Sequence, residues 1–215
     1  AMIMVHGDDR GLRVPPKMAP IEAVFVPIVR KGDERAVAAC HQAATSLREA
    51  GFRVKVDDRD QQPGWKYAEW DLRGVPLRIE IGPRDVDAQT VVLVRRDRAK
   101  GDPEQKKSVP ISELAQEVRV QLDAIQLSLF DQAKAFLESH TFRVSDRDEF
   151  YEKCRSRAGM VDIAWCARPD CEEHVKEQTG ATTRNTYPLP ANEAGAPCVA
   201  CGEPAVVRAY FAQSY

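Results

Sequence analysis

Four cysteines near the C-terminus constrain this 215-residue chain more tightly than any other feature in it. Four residues separate Cys166 from Cys171, two separate Cys198 from Cys201, and 26 lie between the pairs. Each short-spaced pair can form a chelating knuckle. Two knuckles supply four soft thiolates that close a tetrahedral sphere, the donor set of a structural zinc site. The chain from residue 166 onward must then fold around one point, and Gly202 gives the second knuckle the positive φ such a turn uses. His174, on a helix starting at Asp170, is a rival ligand, but four sulfurs already complete the sphere. Disulfides are the competing reading, and they need an oxidising compartment that nothing in the sequence supports. Cys40 and Cys154 fall on apolar helix faces and read as core.

Upstream, strand and helix signals alternate. Residues 23–29 (AVFVPIV) form a buried strand rich in β-branched residues. A helix follows with Asp33 as its N-cap, Val37, Cys40, Ala44 and Leu47 as its apolar stripe and Gly51 as its stop. Phe52, Val54 and Val56 alternate with Arg53 and Lys55 as a second strand. Pro63 opens another helix, on which Trp65, Ala68 and Leu72 recur at helical spacing before Gly74 and Pro76 end it. Leu77, Ile79 and Ile81 then alternate with Arg78 and Glu80, Gly82 and Pro83 turn the chain into a loop carrying Arg84 and Asp85, and residues 90–94 (TVVLV) form a further strand. The order β-α-β-α-β-β implies an α/β domain with a mixed or parallel sheet flanked by helices.

Residues 95–107 contain one apolar side chain, Ala99, and read as a solvated hairpin tip turning at residues 101–103, with basic residues able to touch an RNA backbone. Ser112 caps a long helix, 112–139, whose stripe is Leu114, Val118, Leu122, Ile125, Leu129, Ala133 and Phe136. Leu127, Phe130 and Leu137 widen that stripe into a surface that another unit should cover. A short helix after Ser145, with Asp148 at the capping-box position, carries Phe150 and Cys154, and a strand runs from Val206 to Phe211. Three segments follow from this: an irregular 1–19, an α/β domain 20–125, and a small α+β metal-binding domain 126–215, the last two joined by the long helix.

The stretch 63–85, PGWKYAEWDLRGVPLRIEIGPRD, brings a helix, a strand and a loop to one edge. Arg78, Glu80, Arg84, Asp85 and Lys66 offer the donors and acceptors needed to read Watson–Crick edges of unpaired bases, with Lys66 placed to reach a phosphate. A guanine edge pairs two donors with one acceptor, which suits Glu80 with a guanidinium beside it. From spacing alone, a solvated sheet face with ion pairs remains the simpler reading. Trp65 reads as core before it reads as a stacking platform.

That stretch, the opening IMVHGDDRGLRVPPKMAP and the four-cysteine region together resemble, in order, the C-terminal part of prolyl-tRNA synthetases of the archaeal and eukaryotic type. The resemblance implies a class II synthetase anticodon-binding fold followed by a zinc-binding C-terminal domain. It implies tRNA bearing a proline anticodon as partner. It also implies that residues 1–19 are the tail of a catalytic domain that binds ATP and Mg2+, performs the ligation and contacts this part of the chain, and that Tyr215 is a natural end. A stand-alone tRNA- or protein-binding module with a structural zinc site is the alternative.

Formal charge is −2, so the chain is not coated in positive charge. Residues 59–107 carry 11 Lys and Arg against 9 Asp and Glu, and 108–215 carry 11 against 16, so specific contacts must do most of any RNA selection. No DNA partner is expected. No apolar run approaches the ~20 residues of a membrane helix, and the first residues lack a secretory n-region and cleavage site, so no membrane partner is expected and cytoplasm is the expected location. His6 with Asp8 or Asp9 reads as a turn held by side-chain to backbone hydrogen bonds rather than as an acid–base pair.

Overall fold

The computed structural model, which describes residues 1–29 and 34–214, opens with a short helix, α1 (Met2–His6), and a small antiparallel hairpin of β1 (Gly7–Asp8) and β2 (Gly11–Leu12). The expected turn is there: the Arg10 amide donates to Asp8 Oδ1 at 2.9 Å. The chain divides into two units, Ala1–Ala133 and Lys134–Tyr215.

In the first unit, β3 (Ala23–Pro27) is buried throughout. It is followed by α2 (Arg35–Glu49), β4 (Val54–Val56), α3 (Pro63–Arg73), β5 (Leu77–Ile81), α4 (Pro83–Ala88), β6 (Thr90–Arg95), β7 (Lys106–Pro110) and α5 (Leu114–Ser139), whose residues from Lys134 onward belong to the second unit. The sheet order is β4-β3-β5-β6-β7. β3 pairs in parallel with β4 and β5, while β6 and β7 add antiparallel, so the sheet is mixed. One face of the sheet packs Phe25, Leu77, Ile79 and Leu93 against Cys40, Ala44 and Leu47 of α2 and Leu114, Val118, Leu122, Ile125 and Leu129 of α5. On the other face, Val24 and Val26 pack against Trp70 of α3 and Val75. Each fully buried aliphatic here contributes about 2 kcal/mol. The Asp33 cap lies outside the described residues, as does Tyr215.

Four expectations for this unit need correction. The helix 63–73 does not bury Trp65, Ala68 and Leu72: Trp65 is 50% and Leu72 63% exposed, and the inward positions are Lys66 and Trp70. Arg84 and Asp85 sit on the short helix α4 rather than in a loop. A strand, β7, completes the sheet where only a polar hairpin tip is legible; its lysines suit an edge strand, which must resist further pairing. Finally, the apolar stripe of α5 stops at Leu129, and Leu127, Phe130, Phe136 and Leu137 are exposed. Gly74 ends α3 at φ +73, and a Cβ there would lie 2.7 Å from the Leu12 carbonyl carbon, so the β2 hairpin can approach only a glycine.

The second unit is α+β. It comprises β8 (Thr141–Arg143), α6 (Arg147–Arg155), β9 (Met160–Trp165), α7 (Pro169–Thr179), β10 (Ala181–Pro188) and β11 (Val207–Gln213) in a sheet of order β10-β11-β9-β8. Asp146, rather than a box closed by Asp148, caps α6 by accepting from the Glu149 amide at 2.9 Å. Phe150, Cys154, Val161, Ile163, Trp165, Val175, Ala209 and Phe211 form its core with Cys166, Cys171 and Cys198, while Cys201 is exposed. Elsewhere in the sheet Arg208, 3% exposed, donates to Asp162 Oδ1 at 3.0 Å and to Glu193 Oε2 at 2.6 Å, and the Tyr187 hydroxyl donates to Asp162 Oδ2 at 2.7 Å. A buried guanidinium is tolerated because carboxylates meet it on two sides. No helix among the described residues is long and apolar enough to cross a membrane.

A candidate nucleic-acid face and a cysteine centre

The parallel strands β3, β4 and β5 present their C-terminal ends on one edge; the chain crosses from β3 to β4 on one side and then from β4 back past β3 to β5 on the other, and such a reversal of strand order is where open α/β sheets bind ligands. Directly after β4 comes Asp57, whose carboxylate accepts from Arg59 Nε and one terminal nitrogen at 2.8 Å each and from the Trp70 indole at 2.7 Å. Burial opposes ionisation of Asp57, but these donors prevail and hold its carboxyl down at about 2. The same Arg59 donates to Glu69 at 2.6 Å, and its guanidinium lies 5.1 Å from the centre of the Trp65 ring. Trp65 is thus an exposed aromatic surface braced by a fixed cation, not the core residue that its spacing suggests.

On the strand next to this edge, Arg78 and Glu80 share the face covered by α3. Arg78 donates from Nε to Glu80 Oε1 at 3.0 Å and from a terminal nitrogen to Asp71 Oδ1 at 3.1 Å, while its guanidinium lies 4.0 Å over the Tyr67 ring. The second Glu80 oxygen is 3.7 Å from Lys106 Nζ on β7. Burial first, then the Glu80 charge, pushes the Tyr67 phenol up to about 12. Glu80 itself is 6% exposed. The face is therefore a packed network with aligned charges, not a solvated sheet surface.

The other sequence candidates part company. Arg84 is exposed at the start of α4. Asp85 turns back to accept from the Gly82 amide at 2.8 Å and so caps α4. Lys66 cannot serve a phosphate: it is 3% exposed, and its ammonium donates to the Asp57 carbonyl at 3.0 Å. The basic stretch is a solvated hairpin tip only around its turn, where Ala99, Lys100, Gly101, Pro103 and Glu104 are exposed; Arg95 and Arg96 before it are buried. Arg95 pairs with Asp97 at 2.8 Å, and Arg96, 3% exposed, donates to Asp8 at 2.6 and 2.8 Å and to the Asp71 carbonyl. Arg96 thus anchors the N-terminal hairpin, and its hydrogen bond holds the Asp8 carboxyl down at about 2.

In the second unit the four cysteine sulfurs converge within 4.8 Å of one another. Cys166 and Cys201 are 3.6 Å apart and Cys171 and Cys198 3.9 Å. Sulfurs at ~2.3 Å from a tetrahedral zinc stand about 3.8 Å apart, so the spacing fits the ion, whereas a disulfide requires ~2.05 Å. All four are free thiols. Ala167, directly after Cys166, and Gly202, directly after Cys201, take φ of +57 and +83, so both knuckles turn through the left-handed region. Cys198 is disfavoured as a thiolate by burial, yet backbone amides of Cys201 and Cys166 donate toward its sulfur and leave the thiol below its ordinary value. Burial keeps Cys166 up at about 11 and raises Cys171. His174 is exposed and is not among the converging groups.

A family model described as an anticodon binding domain matches residues 22–121, and one described as the C-terminal domain of prolyl-tRNA synthetase matches residues 147–215. The chain belongs to the prolyl-tRNA synthetase family. It is 44% identical over 220 residues to a proline–tRNA ligase of Thermococcus kodakarensis, covering 100% of this chain and 44% of that protein. A proline–tRNA ligase of Lachnospira eligens is 40% identical over 215 residues, covering 100% of this chain and 43% of the relative. One of Methanosarcina mazei is 40% identical over 216 residues, with 100% and 44% covered. The chain therefore spans less than half the length of these relatives. The segment that matches the anticodon-binding model encloses Arg59, Trp65, Arg78, Glu80 and Arg84, and the one that matches the prolyl-tRNA synthetase C-terminal model encloses all four cysteines. Sequence reasoning missed Arg59, Tyr67 and Asp71, because each acts through a partner on another element and none carries a periodic signal.

Proposed function

We propose that the first unit binds the anticodon of proline tRNA, as part of a protein that attaches proline to tRNA using ATP and Mg2+ held in a separate catalytic domain. The single observation that supports this most is the Arg78–Glu80 pair, fixed by Asp71 and Tyr67 inside the segment that matches the anticodon-binding model. Proline anticodons share two guanines, and a carboxylate with an adjacent guanidinium complements a guanine edge. Arg84 and the Trp65–Arg59 stack supply an exposed cation and a platform close in sequence to that pair. Fluorescence anisotropy with a labelled anticodon stem-loop tests the reading. Binding should be at least about 10-fold tighter with both guanines than with adenines in their place, and should weaken with salt. Equal affinity for the two RNAs would overturn it.

We further infer that the four thiolates hold one zinc ion. A closed sphere leaves no position for water, so the ion would tie β9, α7 and the 198–201 turn together rather than act in chemistry. A cytoplasmic location accords with this, since clustered free thiols persist in a reducing compartment.

A further inference from the structure

Within the second unit a cleft of about 390 Å³ is lined by Arg147, Asp148, Tyr151, Arg155, His174 and Gln178. Arg147, Tyr151 and Arg155 stand at i, i+4 and i+8 on α6, so they share one face of that helix. His174 and Gln178 stand at i and i+4 on α7, which packs against α6. Two helices thus contribute a row each, and no aliphatic side chain is among them. The cleft is as large as a small-molecule site, but a lining of this kind suits a charged ligand and not an apolar one.

The cations of the cleft are held in place without being neutralised. Tyr151 is 7% exposed, and its ring meets that of Phe150 in the core edge-on at 5.3 Å. The Arg147 and Arg155 guanidinium groups lie 5.7 and 5.6 Å from the centre of the Tyr151 ring, so one fixed aromatic surface carries both. Arg155 also donates from Nε to the Gln178 carbonyl at 3.3 Å, which ties α6 to α7. Among the described residues neither arginine is ion-paired with a carboxylate. Partners are not scarce: residues 134–215 carry 12 Asp and Glu against 10 Lys and Arg, and Arg143, Lys153, Arg168 and Arg208 each meet one. Arg147 is moreover the first residue of α6, where the helix dipole disfavours a cation. Helix stability does not account for a guanidinium there, whereas a negative ligand does.

We propose that this cleft is a phosphate-binding site, in which Arg147 and Arg155 grip the oxyanion and His174 and Gln178 add donors from α7. A guanidinium offers a planar fork of N–H donors that matches two phosphate oxygens, and cations fixed in advance on a buried ring lose little freedom on binding. Asp148 is the one carboxylate of the lining, so the two guanidinium groups leave the cleft with an excess of one positive charge. The phosphate can belong to a free small molecule or to an RNA backbone, and the chemistry of the site is the same for both. The cleft lies in a different unit from the anticodon face, and this inference does not rest on that reading.

The test uses the whole 215-residue chain. The ring signals of its four histidines are followed by proton NMR, with His174→Gln assigning the one in the cleft, while inorganic phosphate, adenosine 5′-monophosphate or an oligouridylate is added. The His174 signal should move saturably. Arg147→Gln and Arg155→Gln should each raise the concentration needed for half of that movement about 10-fold or more. Their melting temperatures should change little, because both side chains are exposed. Arg147→Lys should recover only part of the loss, since an ammonium keeps the charge but lacks the fork. Lys176→Gln removes the same charge from an exposed position of α7 outside the cleft and should leave the titration unchanged. Movement with the two small compounds alone assigns the site to a free phosphate compound, and movement with the RNA assigns it to a backbone phosphate. No saturable movement with any of the three, or a loss with Lys176→Gln equal to that with Arg147→Gln, would overturn the proposal.

Discussion

Asp57 accepts the Trp70 indole N–H at 2.7 Å, and this bond ties the end of β4 to the inward face of α3. The same carboxylate, 1% exposed, is clamped by Arg59. The Trp65 ring that Arg59 braces is therefore fixed from the core outward.

That relationship sets a pH dependence. The Asp57 carboxyl sits at about 2 in the folded chain, below the ~3.9 of an unfolded aspartate. Between these values the unfolded chain binds more protons, so stability rises with pH. The contribution is complete above roughly pH 5 and is lost as pH falls through about 2; it amounts to about 2 kcal/mol. Urea unfolding followed at pH 7, 4 and 3 should show the first unit weakening in acid. Asp57→Asn should be less stable at pH 7 and should show a shallower acid slope. A slope unchanged by the mutation would refute the assignment.

Trp65→Ala should leave the melting temperature of the first unit almost unchanged, because half of that ring is already in water. It should weaken binding of an anticodon stem-loop by about 1–3 kcal/mol with little dependence on which base is stacked. Trp70→Ala should do the reverse, destabilising the unit by about 3–5 kcal/mol. Parallel melting and anisotropy measurements on the two variants separate platform from core.

Glu80→Gln keeps the shape of the side chain and removes its charge. It should cost about 1–3 kcal/mol with a guanine-containing anticodon loop and much less when the guanines are replaced. Equal losses on both RNAs would mean that Glu80 serves only to hold Arg78. Arg84→Ala, at an exposed position, should weaken RNA binding without lowering stability.

Cys198→Ser should abolish stoichiometric zinc and unfold or loosen the second unit, while RNA binding by the first unit persists. Metal analysis, proteolysis of residues 134–215 and anisotropy on one preparation check all three outcomes. Retained zinc at one equivalent would contradict the four-ligand assignment.

The strand alternation at Leu77, Ile79 and Ile81 and the spacing of Cys166, Cys171, Cys198 and Cys201 are local patterns, so both could be read directly. A period of two sorts a strand's faces wherever it pairs, and two short-spaced cysteine pairs need only meet. The buried face of α3 could not be read that way. Apolar spacing pointed to Trp65, Ala68 and Leu72, whereas the fold turns Lys66 and Trp70 inward. Those two residues carry polar atoms that are stable in a core only when met by the Asp57 carbonyl and carboxylate, and those groups arrive from a different strand. Arg96 with Asp8, and Arg78 with Asp71, follow the same rule across 88 and 7 residues of chain. A charged side chain is buried where another element brings its counterpart, and no pattern within its own segment records that meeting.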